Sequence, residues 1–474
     1  MSIFNLIKGR IIKKPVNPSS GSLTLSLSQI KTFANTRRNS SQHLCNAPFS
    51  SLRFERYGRV LACCHNNSFI AGIYPQQKLS DIWKGEPLTR FRADIVKNKL
   101  DSGCRVCYDD IITGNYTSVS ALMFDNYSVE SGFPSMLDFK IDNTCNLSCV
   151  MCFSVSTCQK QSQTFDKDIA FKPYDDNFIN ELELFIPHLK NVRFSGGEPF
   201  LSEYYLKLWQ KIHSFNPQCV ITVQTNGNVM NNSIKELLDK GVYSINVSLD
   251  SLDAEIYQKI RVNGSLEKVL ENISFFREYC RQKKTKFGIT ICPMNLNAGE
   301  LHRLIEFCNS NNAYAWFSIV WYPIKLAIWN LDAETLSELY DNLIQKTLPE
   351  ETALEKYNKA LYDEFVNNVK LWHSWALRKG AEETVNISTY RDLIAAHIEA
   401  YFNKMPLYNK NEIKARKIAY LTKANNIINK CDSLKLPQHA INLLFKYNST
   451  EMFLEILEEE NENDILENLK ALSL

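Results

Sequence analysis

From residue 135 onward the apolar positions alternate between two periods. Runs of alternating or continuous apolar residues at 137–142, 191–195, 220–224, 243–249, 286–292 and 315–321 read as β-strands. Between them, apolar residues recur every three to four positions at 176–188, 203–214, 233–240, 266–283, 300–309 and 334–346, which reads as helix. Six strands alternating with helices predict a parallel sheet with right-handed crossovers. Two further units would close a full barrel, so six predict an α/β fold: a partial (β/α)6 TIM-like barrel over 135–346.

The flanks read differently. Residues 43–115 show strand-like alternation at 52–56 and 59–61, then a helical stretch from 88 to about 100. Pro15, Pro18 and the Ser-Ser-Gly at 19–21 interrupt any pattern, so 1–42 reads as a tail with little packed structure. Residues 350–474 are helical in pattern, with one break expected at Pro437 and no sustained heptads. They predict a C-terminal α-helical domain.

Composition is that of a soluble globular chain, with 45% hydrophobic and 22% charged residues. A net charge of +2 gives no general pull toward nucleic acid. No run of about 18 apolar residues occurs, so no membrane span is expected. The first 54 residues carry Lys8, Arg10, Lys13, Lys14, Lys31, Arg37, Arg38 and Arg53 and no acid. That pattern suits an organelle transit segment or, the preferred reading, a basic flexible tail.

The 14 cysteines are too sparse for a disulfide scaffold, and their clustering favours metal binding in a reducing, cytoplasmic setting. Cys145, Cys149 and Cys152 stand at x₃ and x₂ spacing on one predicted loop. Three thiolates so placed can hold three irons of a [4Fe–4S] cube and leave the fourth open for chemistry. The bland alternatives are reduced packing cysteines or part of a zinc site.

Further along come Ser-Gly-Gly-Glu-Pro at 195–199, Thr225-Asn226-Gly227 and Ser248-Leu249-Asp250, each at the end of a predicted strand. In α/β barrels that end carries the chemistry. In this order after the cysteine triplet, the motifs resemble the radical S-adenosylmethionine (SAM) enzymes over roughly 135–330.

The resemblance implies that Cys145, Cys149 and Cys152 ligate the cluster while SAM chelates the open iron. Electron delivery to the cluster would cleave SAM to a 5′-deoxyadenosyl radical that abstracts hydrogen from substrate. Glu198 and the backbone of Gly196 and Gly197 would receive the SAM ammonium, with Pro199 in the same cofactor-binding run, and Thr225 and Ser248 would bond its ribose or carboxylate. Arg261 would pair with the carboxylate or, equally, be a surface arginine. Met151 would meet the adenine through its backbone, and Asp250 would support the site or cap the strand. The resemblance names no catalytic residue.

Cys45, Gly58 and Cys63 at x₁₂ and x₄ spacing, with Cys104 and Cys107 beyond, resemble the twitch and SPASM auxiliary-cluster modules of the same superfamily. A module over 43–115 precedes the barrel here, whereas in the family it follows. One auxiliary [4Fe–4S] cluster is expected on Cys45, Cys63, Cys104 and Cys107. A Cys₄ zinc site is the alternative, and Cys64 competes with Cys63 as ligand. The family association of such modules implies a peptide or protein substrate, with a small molecule as the alternative, and an electron donor such as flavodoxin or ferredoxin. A non-catalytic scaffold is the remote third reading.

Overall fold

The computed structural model describes residues 23–37, 43–66, 69–112, 132–152, 173–377, 387–403, 410–434 and 460–470, with short pieces between some of these. Pro437 lies outside the described residues. The six expected strands are present as β4 (Met136–Lys140), β5 (Asn191–Phe194), β6 (Val220–Thr225), β7 (Val242–Ser248), β8 (Phe287–Ile291) and β9 (Tyr314–Phe317). They pair in sequence order and in parallel. Helices Asp176–Leu182, Glu203–Phe215, Asn232–Lys240, Leu266–Lys283, Leu301–Ser310 and Ala333–Ile344 follow them.

The sheet does not stop at β4. β1 (Ser51–Glu55) adds to it in parallel, and β2 (Arg59–Leu61) and β3 (Gly72–Ile73) continue antiparallel, giving nine strands in one sheet among the described residues. The cysteine-rich segment and the barrel read in the sequence therefore share a sheet. The turn from β1 to β2 needs Gly58: its φ is +80°, and a Cβ there would lie 1.9 Å from the Tyr74 carbonyl oxygen.

The two faces of the sheet differ. Leu52, Phe54, Leu137, Phe139, Val192, Phe194, Ile221 and Val223 are buried under the helices. By strand alternation, the opposite face carries Arg53, Asp138, Arg193 and Thr222 side by side, and nearer the strand ends Gln224, Asn246, Ser248 and Thr290. Arg53 meets Asp138 at 2.7 Å and Glu55 at 2.9 Å, with all three side chains largely buried. This ion group joins the added strand to the barrel.

The tail expectation for 1–42 is corrected in part. Leu27–Thr36 is a helix with a Ser26/Gln29 capping box, and it buries Phe33. Arg37 is no loose cation. It pairs with Asp125 and donates to the main-chain oxygens of His43 and Leu44, just before Cys45. At the other end, helix Ala353–Ala376 packs against β9 and the two preceding helices, burying Phe365, Val369 and Trp372. The Asn358 side chain accepts from the Ala315 amide (2.8 Å) and donates to the Ala313 carbonyl (3.0 Å), so it ties this helix to β9.

Candidate functional site

Cys145 lies five residues past the end of β4, on a loop held from three sides. Glu198 N donates to the Thr144 carbonyl at 2.7 Å. Ser148 N and Val150 N donate to the Val262 and Ile260 carbonyls at 3.0 and 2.9 Å. Asp142 accepts from the Thr144 amide and from the Ser202 hydroxyl.

The Gly-Gly pair is required by this loop itself. Gly196 (φ +88°) and Gly197 (φ +52°) pass so close to it that a Cβ would lie 2.6 Å from the Asp142 carbonyl oxygen and 2.3 Å from that of Thr144. Glu198 is fully buried. Its carboxylate accepts from the Thr225 hydroxyl (2.8 Å), the Asn226 amide (2.7 Å) and the Phe200 amide (3.2 Å). Burial outweighs these donors and pushes its pKa up to about 7. Pro199 opens the short 3₁₀ turn Pro199–Leu201 and is buried.

Nitrogen donors stand beside two of the three thiols, Cys145 and Cys149. Asn226 Nδ2 lies 3.8 Å from Cys145 Sγ and also donates to Asn146 Oδ1 at 2.8 Å. The Leu147 amide approaches the same sulfur at 3.5 Å. Arg261 Nη1 is 3.7 Å from Cys149 Sγ. Burial raises the Cys149 thiol to about 11 against the pull of Arg261, and raises Cys145 as well.

Arg261 is not a surface arginine. It is buried, and its Nη2 pairs with Asp250 Oδ2 at 2.7 Å. Asp250 is also buried and accepts from the Cys292 amide at 2.6 Å, so it bridges two strand ends instead of merely capping one. Ser248 Oγ accepts from Gln224 Nε2 (2.9 Å), and Gln224 Oε1 accepts from the Thr290 hydroxyl (3.0 Å). Met151 packs beside a small apolar group of Ile260, Met294, Val320 and Leu326. Direct contacts thus link Cys145 to Asn226 and through it to Glu198 and Thr225, and Cys149 to Arg261 and Asp250, whereas Ser248 meets Gln224 and Met151 an apolar group. Asn226 stands in the sequence only as part of the Thr-Asn-Gly motif, and its contact with a cysteine sulfur carries no separate signal there.

The other four cysteines form a second group. Cys45, Cys63, Cys104 and Cys107 line one cavity with Leu44, Phe91, Leu100 and Phe124. Burial raises all four thiols, Cys45 to about 11 and Cys107 to about 12, and neighbouring cysteines add to the rise at Cys63, Cys104 and Cys107. Asn66 Nδ2 approaches Cys104 Sγ at 3.6 Å, a contact that nothing in the sequence announces. Cys64 is turned the other way, into the field of Asp138, Arg53 and Arg193, and does not line the cavity.

Among the described residues, no three His, Cys, Asp or Glu side chains converge as a single-ion site requires. A four-iron cube does not ask for that convergence, since each thiolate binds its own iron. In both groups the donor set fits such a cube: soft sulfurs, partly buried, with N–H donors aimed at them. The two groups lie at opposite ends of β4. Cys45 and Cys63 pack by Met136 at its start, and Cys145 follows Lys140 at its end. Five strand residues span about 13 Å.

Comparison with known proteins bears on both regions. Residues 140–308 match the model of the Radical SAM superfamily, and residues 45–108 that of an iron–sulfur cluster-binding domain, SPASM. A probable GTP 3′,8-cyclase from Methanocaldococcus jannaschii is 27% identical over 234 residues, 49% of this chain and 71% of that one. A GTP 3′,8-cyclase from Clostridium perfringens is 28% identical over 190 residues, 40% of this chain and 55% of its own length. Among solved structures, native anSMEcpe with bound AdoMet is similar at 16% identity and TM-score 0.34, covering 49% of this chain and 62% of that one. Streptococcus suis SuiB bound to precursor peptide SuiA is similar at 16% and 0.33, covering 62% and 67%. Among the described residues, no helix is long and apolar enough to cross a membrane.

Proposed function

Because residues 140–308 match the Radical SAM superfamily, we propose that this chain binds a [4Fe–4S] cluster on Cys145, Cys149 and Cys152 and uses SAM to abstract hydrogen from a peptide or protein substrate. The observation that carries the cluster site is the gathering of three thiols, Glu198, Asn226 and Arg261 at the C-terminal ends of the parallel strands. The bound cluster and SAM supply the radical chemistry, and the chain holds and shields them.

Each residue has a part in that arrangement. Gly196 and Gly197 let the loop after β5 press against the cysteine loop. Glu198 fixes the ends of β5 and β6 in register through Thr225 and Asn226. Pro199 starts the turn beyond it, and Ser248 stands at the end of β7 as a polar contact for SAM. Arg261 carries the positive charge, and Met151 forms part of an apolar wall by the cluster loop. Cys45, Cys63, Cys104 and Cys107 hold a second cluster in the cavity at the far end of β4. The polar sheet face between the two groups, from Asp138 and Arg193 to Ser248 and Thr290, receives the substrate. An external donor such as flavodoxin or ferredoxin reduces the first cluster, in a reducing, cytoplasmic setting.

The auxiliary domain supports a peptide or protein substrate. The similarity to GTP 3′,8-cyclases favours a second reading, a small polar molecule. Deuterium transfer tests both. Anaerobically reconstituted enzyme, dithionite and SAM should release 5′-deoxyadenosine, and deuterium should enter it only from the true substrate class. Reconstituted enzyme that releases no 5′-deoxyadenosine at all would overturn the radical SAM activity.

A further inference from the structure

We infer that Arg261, held by Asp250, sets the reduction potential of the open-iron cluster through Cys149. The inference rests on the cluster assignment to Cys145, Cys149 and Cys152.

The backbone puts the two residues face to face. Ser148 and Val150 bond Val262 and Ile260, one rung on each side of Cys149 and Arg261. The Arg261 amide closes the helix Ala254–Ile260 on the Tyr257 carbonyl at 2.7 Å, so its main chain is fixed as well. Asp250 fixes the head group. Its own carboxylate is pinned by the Cys292 amide (2.6 Å), and its carbonyl by Asn297 Nδ2 (2.7 Å). The guanidinium is thus oriented by a buried partner, with one edge on Asp250 and the other 3.7 Å from the sulfur.

That geometry acts on the redox couple. A cluster gains one negative charge on reduction, and part of that charge sits on the thiolate sulfurs. An N–H donor at a sulfur, and a cation behind it, stabilise the reduced state and raise the potential. The site is largely removed from water, so the charge is poorly screened. Asp250 offsets part of the effect. Two variants should therefore shift the potential in opposite directions, which a purely structural role would not do.

The experiment is a mediated potentiometric titration of reconstituted holoenzyme without SAM, read by EPR. The open-iron cluster is identified as the signal that changes when SAM is added afterwards. Arg261→Gln should shift its midpoint negative, lowering its reduction equilibrium constant roughly tenfold, about 59 mV for one electron. Asp250→Asn should shift it positive, and Arg261→Lys should fall between Arg261→Gln and the parent. If Arg261→Gln leaves the SAM-free midpoint unchanged and only weakens SAM binding, Arg261 serves the SAM carboxylate alone and the inference fails. Shifts of the same sign in both variants also overturn it, since they would report disturbed packing. If the parent enzyme shows no SAM-sensitive signal, the cluster assignment itself falls, and the inference with it.

Discussion

The Glu198 carboxylate and the Asn226 amide meet at 2.7 Å, and this bond joins the end of β5 to the end of β6. The same carboxyl is fully buried, and burial lifts its pKa from 4.5 to about 7. The folded chain therefore keeps a proton that the unfolded chain releases above pH 4.5. The stability this contributes is whole below about pH 4.5 and is lost as the pH rises through about 7. At about 1.4 kcal/mol per unit, the loss approaches about 3 kcal/mol. Urea unfolding of the metal-free chain at pH 4.5 and pH 8 measures it. The parent should lose about 3 kcal/mol more than Glu198→Gln across that range, and equal losses would reject this account.

Loading with iron separates the two cysteine groups. The reconstituted chain should hold about eight irons as two four-iron clusters, and replacing Cys145, Cys149 and Cys152 together by Ala should leave about four. Reductive SAM cleavage should fall to background in that variant. Persistent 5′-deoxyadenosine under dithionite would refute the assignment of the open-iron site.

The second group offers a sharper test because Cys63 and Cys64 are neighbours that face opposite ways. Cys63 lines the cavity with Cys45, Cys104 and Cys107, and Cys64 looks toward Arg53 and Asp138. Cys63→Ser should remove the auxiliary cluster, as should Cys104→Ala with Cys107→Ala, while some uncoupled SAM cleavage survives and product formation is lost. Cys64→Ser should keep the full iron content. Iron and zinc analysis with Mössbauer spectra decides it. One zinc per chain with only four irons would replace the auxiliary cluster by a zinc site.

Much of this site could be read from the chain because its signals are local. β4 to β9 each carry their apolar period within a few residues, and each motif sits at its strand's end. The cysteine triplet needs no distant partner to be noticed. What escaped depends on long separations. β1 joins β4 across about 80 residues of chain, and its own five residues say nothing about which strand they will pair with. Arg261 resembles any helix-end arginine until Asp250 and Cys149 close around it. Asn66 and Asn226 reach cysteine sulfurs through folding alone. The helix Leu27–Thr36 was hidden by its Ser- and Thr-rich setting, and it is held by Phe33 and Arg37.

The last expectation concerns the chain beyond 350. A helical region beyond the sixth βα unit can either dock a substrate or cover the open side of the barrel. The contacts of helix Ala353–Ala376 favour the cover. Phe365 packs edge-on against Phe317 of β9, Trp372 against Trp321, and Tyr362 donates to the Leu343 carbonyl at 3.0 Å. Asn358 bonds both sides of residue 314, where β9 begins. A chain cut at 350 would bare that wall, and contiguous apolar surface of this kind drives aggregation. Such a truncation should therefore be insoluble or lose both clusters. Asn358→Ala is the gentler probe. It strands the Ala315 amide and the Ala313 carbonyl in a buried place, which costs about 1–3 kcal/mol for each group. It should lower the thermal midpoint of the holoenzyme while leaving the affinity for substrate unchanged once folded. If the truncated chain instead stays soluble, keeps SAM cleavage and loses only substrate binding, the region is a docking module.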